Sequence, residues 1–183
     1  MDKNTPVREI REKDLAANCL AFGECLKRVP ANEIKTVLDI RYGRGGWARL
    51  VRNRIPNARI TGYEQDRKTA KLAWADVNTD LLAEEYFPQR KVFDLLIADF
   101  NTLTQIKRQE IDDVIKVVRT KYLIFTDVCC SKLHLNYYSY GLSEPSLIKY
   151  WRRFNLDGYR FVCFARHHYA ASTALYETKN PGS

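Results

Sequence analysis

One segment near the start of the chain constrains the fold more than any other. Residues 36–40, Thr-Val-Leu-Asp-Ile, are rich in β-branched and apolar side chains, which is typical of a buried strand. Gly43, Gly45 and Gly46 follow and permit a tight turn, and apolar residues at helical spacing resume at Trp47. A strand, a glycine loop and a helix in this order predict the first unit of an α/β sheet.

Strands and helices continue to alternate along the chain. Repeated strand–helix units favour a mostly parallel sheet with helices on both faces, because parallel neighbours need a crossover. About six residues separate the last two predicted strands, too few for a crossover, so one of them is expected to be antiparallel. Further strands are predicted at 58–63, 93–98, 122–128, 159–165 and 172–177, with a marginal one near Val77, and helices at 15–29, 47–55, 66–75, 111–118 and 143–154.

Length and composition describe one globular domain. The chain has 183 residues, of which 45% are apolar and 28% charged, and a chain of this size buries its own core. We divide it into an N-terminal helical segment (1–33), a core (34–178) and a loose tail (179–183). Five cysteines without a Cys-x-x-Cys pair and only three histidines predict no structural metal and favour a reducing, cytoplasmic location. No run of residues is apolar enough to predict a signal peptide or a membrane helix.

A basic excess indicates an anionic partner. The 30 Lys and Arg residues outnumber the 22 Asp and Glu residues, which gives a net charge of +8. Arginines bind phosphate bidentately, but only helical residues three or four apart share a face, so a solvated face is the alternative. The loop at 132–140 holds three tyrosines that either stack on bases or pack over the sheet edge. The arginines cluster in sequence at positions Arg41, Arg44, Arg49, Arg52, Arg54 and Arg59.

The glycine loop carries a resemblance to a known family. Residues 37–47 read Val-Leu-Asp-Ile-Arg-Tyr-Gly-Arg-Gly-Gly-Trp, and with the strand order they resemble the class I S-adenosylmethionine-dependent methyltransferases. The Gly-x-Gly-Gly-Trp ending is similar to the cofactor loop of 2′-O-ribose RNA methyltransferases. The resemblance covers about residues 34–178. It implies a Rossmann-like fold of six to seven strands with an antiparallel last strand. It also implies S-adenosylmethionine as cofactor and nucleic acid, with RNA favoured, as the methyl acceptor.

The resemblance also implies a cofactor site beyond the carboxyl ends of the strands. The glycines would line the amino-acid end of the cofactor, and Asp39 would anchor the turn or the ammonium group. Glu64 would accept hydrogen bonds from the ribose diol, and Asp80 would meet the adenine amine. Arg41 replaces the family's first glycine and either blocks the pocket or clamps the methionine carboxylate. The residues assigned to this cofactor site are Asp39, Arg41, Gly43, Gly45, Gly46, Trp47, Glu64, Asp80 and Asp99.

Three residues are candidates for catalysis. Asp99 ends the predicted fourth strand, where it either orients an acceptor hydroxyl or amine or serves as a loop carboxylate. Cys130 follows the predicted fifth strand in a Cys-Cys-Ser sequence similar to the Thr-Cys-Ser of RNA cytosine-C5 methyltransferases, and its alternative is an inert buried thiol. His134 lies in the tyrosine-rich loop. His167 and His168 open onto the same sheet edge if the sixth strand is parallel, where either is a further candidate base or simply a solvated loop histidine.

Two other functions fit the same sequence. The Lys-Asp-Lys-Glu set of the ribose methyltransferases is matched only at Asp99 and by Glu177 on the last strand, so the acceptor atom stays open. Arg41 and this incomplete set favour a catalytically silent module that binds nucleic acid or protein. The short chain without an added recognition domain favours a small-molecule methyltransferase.

Overall fold

Within the described residues, seven strands form one mixed sheet. The computed structural model describes residues 19–40, 42–82, 92–99, 118–128, 156, 158–167 and 171–179. The strands are β1 (Thr36–Ile40), β2 (Arg59–Tyr63), β3 (Thr79–Leu82), β4 (Val92–Asp99), β5 (Arg119–Val128), β6 (Tyr159–His167) and β7 (Ala171–Thr178). The helices are α1 (19–27), α2 (Gly46–Arg54) and α3 (Arg67–Lys71), with one 3-10 turn at Ala31–Glu33.

The strand order is β3-β2-β1-β4-β5-β7-β6. The first five strands in this order pair in parallel, whereas β7 is antiparallel to both of its neighbours. Because β6 is antiparallel to β7, it runs in the same direction as β5. The predicted mostly parallel sheet with an antiparallel last strand is therefore confirmed. The marginal strand near Val77 begins two residues later, at Thr79, and the predicted helices at 111–118 and 143–154 fall, apart from Val118, outside the described residues.

The central strands are buried on both faces. Val37 of β1 packs with α1 and α2, whereas Leu38, its neighbour in the strand, faces a second core on the opposite side. β4 is an almost unbroken apolar run, as expected for a strand covered on both sides. Its one charged residue before the carboxyl end, Asp94, accepts hydrogen bonds from the amides of Lys35 and Thr36 at 2.8 and 2.9 Å. These bonds fasten the entry to β1 against β4.

Several arginines of the predicted phosphate-binding cluster hold the fold together instead. Arg52 on α2 forms a two-pronged ion pair with Asp76, at 2.6 and 2.9 Å. Arg54 donates to the carbonyl oxygen of Leu26 at 3.0 Å and to that of Lys27 at 3.0 Å, which ties α2 to the end of α1. None of the helices in the part of the chain that the structure describes is long and apolar enough to cross a bilayer.

Candidate functional site

The parallel strands place several predicted site residues along one edge of the sheet. Ile40 at the end of β1 pairs with Tyr63 of β2 on one side and Ala98 of β4 on the other. Asp99 follows Ala98 and therefore lies at the same edge. β2 and β4 are two strand spacings apart, roughly 10 Å. His167 also reaches this edge, but β6 lies four spacings, or roughly 19 Å, from β1, the strand that leads into the glycine loop, so the structure separates His167 from that loop.

The glycine loop connects β1 to α2 and has one closed and one open side. Gly43 and Gly45 adopt φ angles of 56° and 80°, in the left-handed region that favours glycine. A Cβ at Gly45 would lie 2.8 Å from the ring of Tyr42 and 3.0 Å from the carbonyl oxygen of Trp74, whereas a Cβ at Gly46 would meet nothing within 4 Å. The open side of the loop therefore lies at Gly46, at the amino end of α2, where the helix dipole favours an anionic group.

Tyr42, which is not among the predicted site residues, fixes the shape of this loop. Its side chain is 2% exposed, and its ring lies against Gly62 in the middle of β2. Its hydroxyl donates a hydrogen bond to the carbonyl oxygen of Trp74, whose amide donates to the carbonyl oxygen of Arg44 at 3.2 Å. Burial, with a smaller contribution from the charge of Asp39, raises the pKa of Tyr42, so the phenol stays a donor. A glycine inside a strand was the signal for such a close approach.

Glu64 links the end of β2 to the glycine loop. Its Oε2 accepts a hydrogen bond from the amide of Gly43 at 2.9 Å, and its Oε1 accepts one from the amide of Asp66 at 2.9 Å. The side chain is half-buried. A carboxylate offers about four lone-pair positions, so these two bonds leave capacity for two more donors. A vicinal diol supplies two donors.

Other residues assigned to the cofactor site lie elsewhere. Trp47 is 6% exposed and packs on Phe22 of α1 with ring centroids 4.8 Å apart, so its indole belongs to the core. Asp80 is the second residue of β3 and pairs with Arg59 at 2.8 Å. Arg59 begins β2, so this ion pair points toward the amino end of the sheet, and the structure does not bring Asp80 to the edge that holds Glu64.

The remaining candidates are Asp39, Arg41, Asp99, Cys130 and His134. Asp39 lies in β1 and is completely buried. Arg41, Cys130 and His134 fall outside the described residues. Asp99 is placed only as the last residue of β4. Across the ranges that the structure describes, no group of three or more His, Cys, Asp or Glu residues is placed to hold a metal ion.

Solved structures share this architecture over nearly the whole chain. The plantazolicin methyltransferase BpumL, solved with a monoazolic desmethylPZN analogue and SAH, has a TM-score of 0.62 and 11% identity, covering 94% of this chain and 87% of that one. A SAM-dependent methyltransferase from Aquifex aeolicus has a TM-score of 0.63 and 15% identity, with coverages of 96% and 100%. The 16S rRNA methylase ArmA has a TM-score of 0.61 and 11% identity, with coverages of 95% and 91%.

These similarities lie in the fold and not in the sequence. No protein-family model and no curated protein matches the chain. TM-scores of 0.61–0.63 over at least 94% of the chain, at 11–15% identity, show that the fold is shared. The chain therefore has the Rossmann-like fold of the S-adenosylmethionine-dependent methyltransferases.

Proposed function

We propose that this protein is an S-adenosylmethionine-dependent methyltransferase and that its acceptor is RNA. The observation that carries the proposal is the contact between Glu64 and the amide of Gly43, which places a carboxylate beside an open glycine loop at the carboxyl edge of the sheet. BpumL, which shares this fold, was solved with SAH. Ligands of open α/β sheets bind beyond this edge.

The residues at this edge fit an adenosyl cofactor. Glu64 has two free lone-pair positions for the two hydroxyls of a ribose. The open space at Gly46 and the amino end of α2 suit the carboxylate of the methionine portion. Arg41 within the loop completes the proposed cofactor contacts, and Asp39, which is completely buried beneath the loop, takes the other proposed role of anchoring the turn.

Asp99 is the proposed catalytic residue. The bound cofactor supplies an electrophilic methyl group, so the chain has only to align the acceptor and, where needed, remove its proton. Asp99 ends the strand beside β1, at the edge that carries the glycine loop. From this position in the strand we propose that Asp99 orients an acceptor hydroxyl or amine. Cys130 and His134 remain the further catalytic candidates.

A basic surface next to the glycine loop supports RNA as the acceptor. Arg44 and Arg49 are exposed, and the Arg49 guanidinium stacks over the ring of Trp74 at 5.4 Å from its centroid. α3 adds three exposed cations within five residues, Arg67, Lys68 and Lys71. Among the described residues, no carboxylate forms an ion pair with these five side chains. Free cations beside a half-exposed indole are suited to phosphates and bases, and one structural neighbour is an rRNA methylase.

Removing two of these cations tests the RNA surface. In Arg44→Gln/Arg49→Gln we expect the affinity for RNA to fall roughly tenfold near physiological salt. The plot of the logarithm of the RNA-binding constant against the logarithm of the salt concentration should become less steep by about 1.5. The matched control is Arg59→Gln/Arg160→Gln, which removes the same charge from exposed ion pairs near the amino ends of β2 and β6. Filter binding of RNA at several salt concentrations measures both quantities. Equal losses in the two double variants would contradict a localised RNA surface.

The proposed activity is tested with a labelled methyl donor. We expect the protein to transfer label to total RNA and not to DNA or a small-metabolite pool, and we expect Asp99→Ala to reduce the rate at least about a hundredfold. Label found only in small metabolites would contradict RNA as the acceptor and would still support methyltransferase activity. Label in none of the three pools would contradict both.

A further inference from the structure

A β-bulge in the edge strand β6 changes which face of the sheet its side chains occupy. Phe161 pairs with Tyr176 of β7, but the next paired residue is Cys163, opposite Leu175, so Val162 is the extra residue. In a regular strand residues two apart share a face. Here Phe161 packs in the second core, whereas Cys163 packs in the core beneath α1. The bulge therefore turns Cys163 toward α1.

The residue that Cys163 meets is another cysteine. Cys25 on α1 is completely buried, and its thiol donates a hydrogen bond to the carbonyl oxygen of Thr173 at 3.3 Å. Cys163 is half-buried and packs against the same core as Cys25. Thr173, which the Cys25 thiol contacts, is paired with Ala165, two residues along β6 from Cys163. Both cysteines are free thiols. Two cysteines 138 positions apart in the sequence are thus brought to the same core between a helix and an edge strand.

The surroundings give the two thiols different reactivities. The neighbouring thiol of Cys25 lowers the pKa of Cys163, and the nearby guanidinium of Arg28 adds to this effect. The proximity of Cys163, together with burial, raises the pKa of Cys25. Burial also raises the pKa of Cys19, a half-buried thiol on the same helix. Because the thiolate is the nucleophile, Cys163 is the reactive sulfur and Cys25 is placed to resolve it.

We infer that Cys25 and Cys163 form a redox-sensitive pair that closes to a disulfide with hydrogen peroxide and fastens α1 to β6. The Cys163 thiolate attacks one peroxide oxygen, the O–O bond breaks, and hydroxide leaves, which gives a sulfenic acid. The sulfur of Cys25 then attacks the sulfenic sulfur, the S–O bond breaks, and water leaves with the Cys25 proton. In sum, two thiols and one peroxide give one disulfide and two waters. This inference does not depend on the proposed methyl transfer.

Peptide mapping after mild peroxide treatment tests the pair. We expect the intact protein to lose two hydrogens, and a peptide containing Cys163 to be joined to one containing Cys25. Digestion combines trypsin with a glutamate-specific protease, which cuts after Glu24 and so separates Cys25 from Cys19. The cross-link should raise the Tm of the oxidised protein by on the order of 5 °C or more, because it closes a long loop in the unfolded chain.

Variants separate this pair from the other thiols. Cys163→Ser and Cys25→Ala should each abolish the cross-link, whereas Cys19→Ser, the matched control on α1, should leave it unchanged. In unoxidised protein at neutral pH we expect an alkylating probe to label Cys163 about five to ten times faster than Cys19. Oxidation of Cys163 to sulfinic acid without a cross-link, or a disulfide formed through any other pair of cysteines, would overturn the inference.

Discussion

Replacing Gly62 by alanine is expected to destabilise the protein by about 3 kcal/mol, because the new Cβ has no space. It would lie 2.3 Å from one carbon of the Tyr42 ring and 2.7 Å from another. The ring has no easy way to move, since it is buried and its hydroxyl is bonded to the carbonyl oxygen of Trp74. Thermal unfolding followed by circular dichroism should show a Tm lower by roughly 6–12 °C.

Gly23→Ala is the matched control for this prediction. Gly23 lies inside α1, and a Cβ there would meet nothing within 4 Å. Alanine is the better helix former, so this variant should gain about 0.5–1 kcal/mol. Tyr42→Ala completes a double-mutant cycle, in which the cost of Gly62→Ala should fall below about 1 kcal/mol once the ring is removed. An unchanged cost in that background would show that the clash with Tyr42 is not the cause.

Glu64→Gln is expected to weaken the binding of S-adenosylhomocysteine roughly 30-fold, or about 2 kcal/mol. The amide keeps the size of the side chain but loses the charge, and its NH₂ group cannot accept a hydrogen bond from a backbone amide or a ribose hydroxyl. Isothermal titration calorimetry of the variant and the parent protein measures the change. The Tm should stay within about 4 °C of the parent, which separates loss of binding from loss of structure.

Asp80→Asn is the comparison for Glu64→Gln. The sequence assigned both carboxylates to the cofactor, but the structure pairs Asp80 with Arg59 toward the amino end of the sheet. We therefore expect Asp80→Asn to change the affinity for S-adenosylhomocysteine less than twofold, in keeping with a half-exposed surface ion pair. A loss at Asp80 equal to that at Glu64 would contradict the assignment of the site to the carboxyl edge.

The strands could be predicted from the sequence because their patterns are local. An apolar run such as 93–98 is bounded by polar residues, and β4 differs from it by one residue at each end. The short connection before β7 predicted that one of the last two strands is antiparallel, and the structure shows that it is β7. α3 is shorter than predicted, because it ends at Lys71 and the chain then returns to bind the glycine loop through Trp74. That return depends on a contact between residues 30 positions apart, and local periodicity does not report such contacts.

The candidate site was only partly predictable for a similar reason. Glu64 could be predicted because it directly follows a strand of a parallel sheet. Asp80 could not be placed correctly without knowing that β3 begins at Thr79, which makes Asp80 the second residue of the strand and not a residue beyond its end. Tyr42 was missed because a tyrosine in a loop gives no signal until Gly62 is seen beneath its ring.

Calorimetric titration of the parent protein with S-adenosylhomocysteine is the most direct test of the central claim, that the edge formed by the glycine loop and Glu64 is an adenosyl-cofactor site. We expect saturable binding of one molecule per chain with a Kd in the micromolar range, or about −8 kcal/mol. No detectable heat of binding at millimolar ligand would contradict that claim.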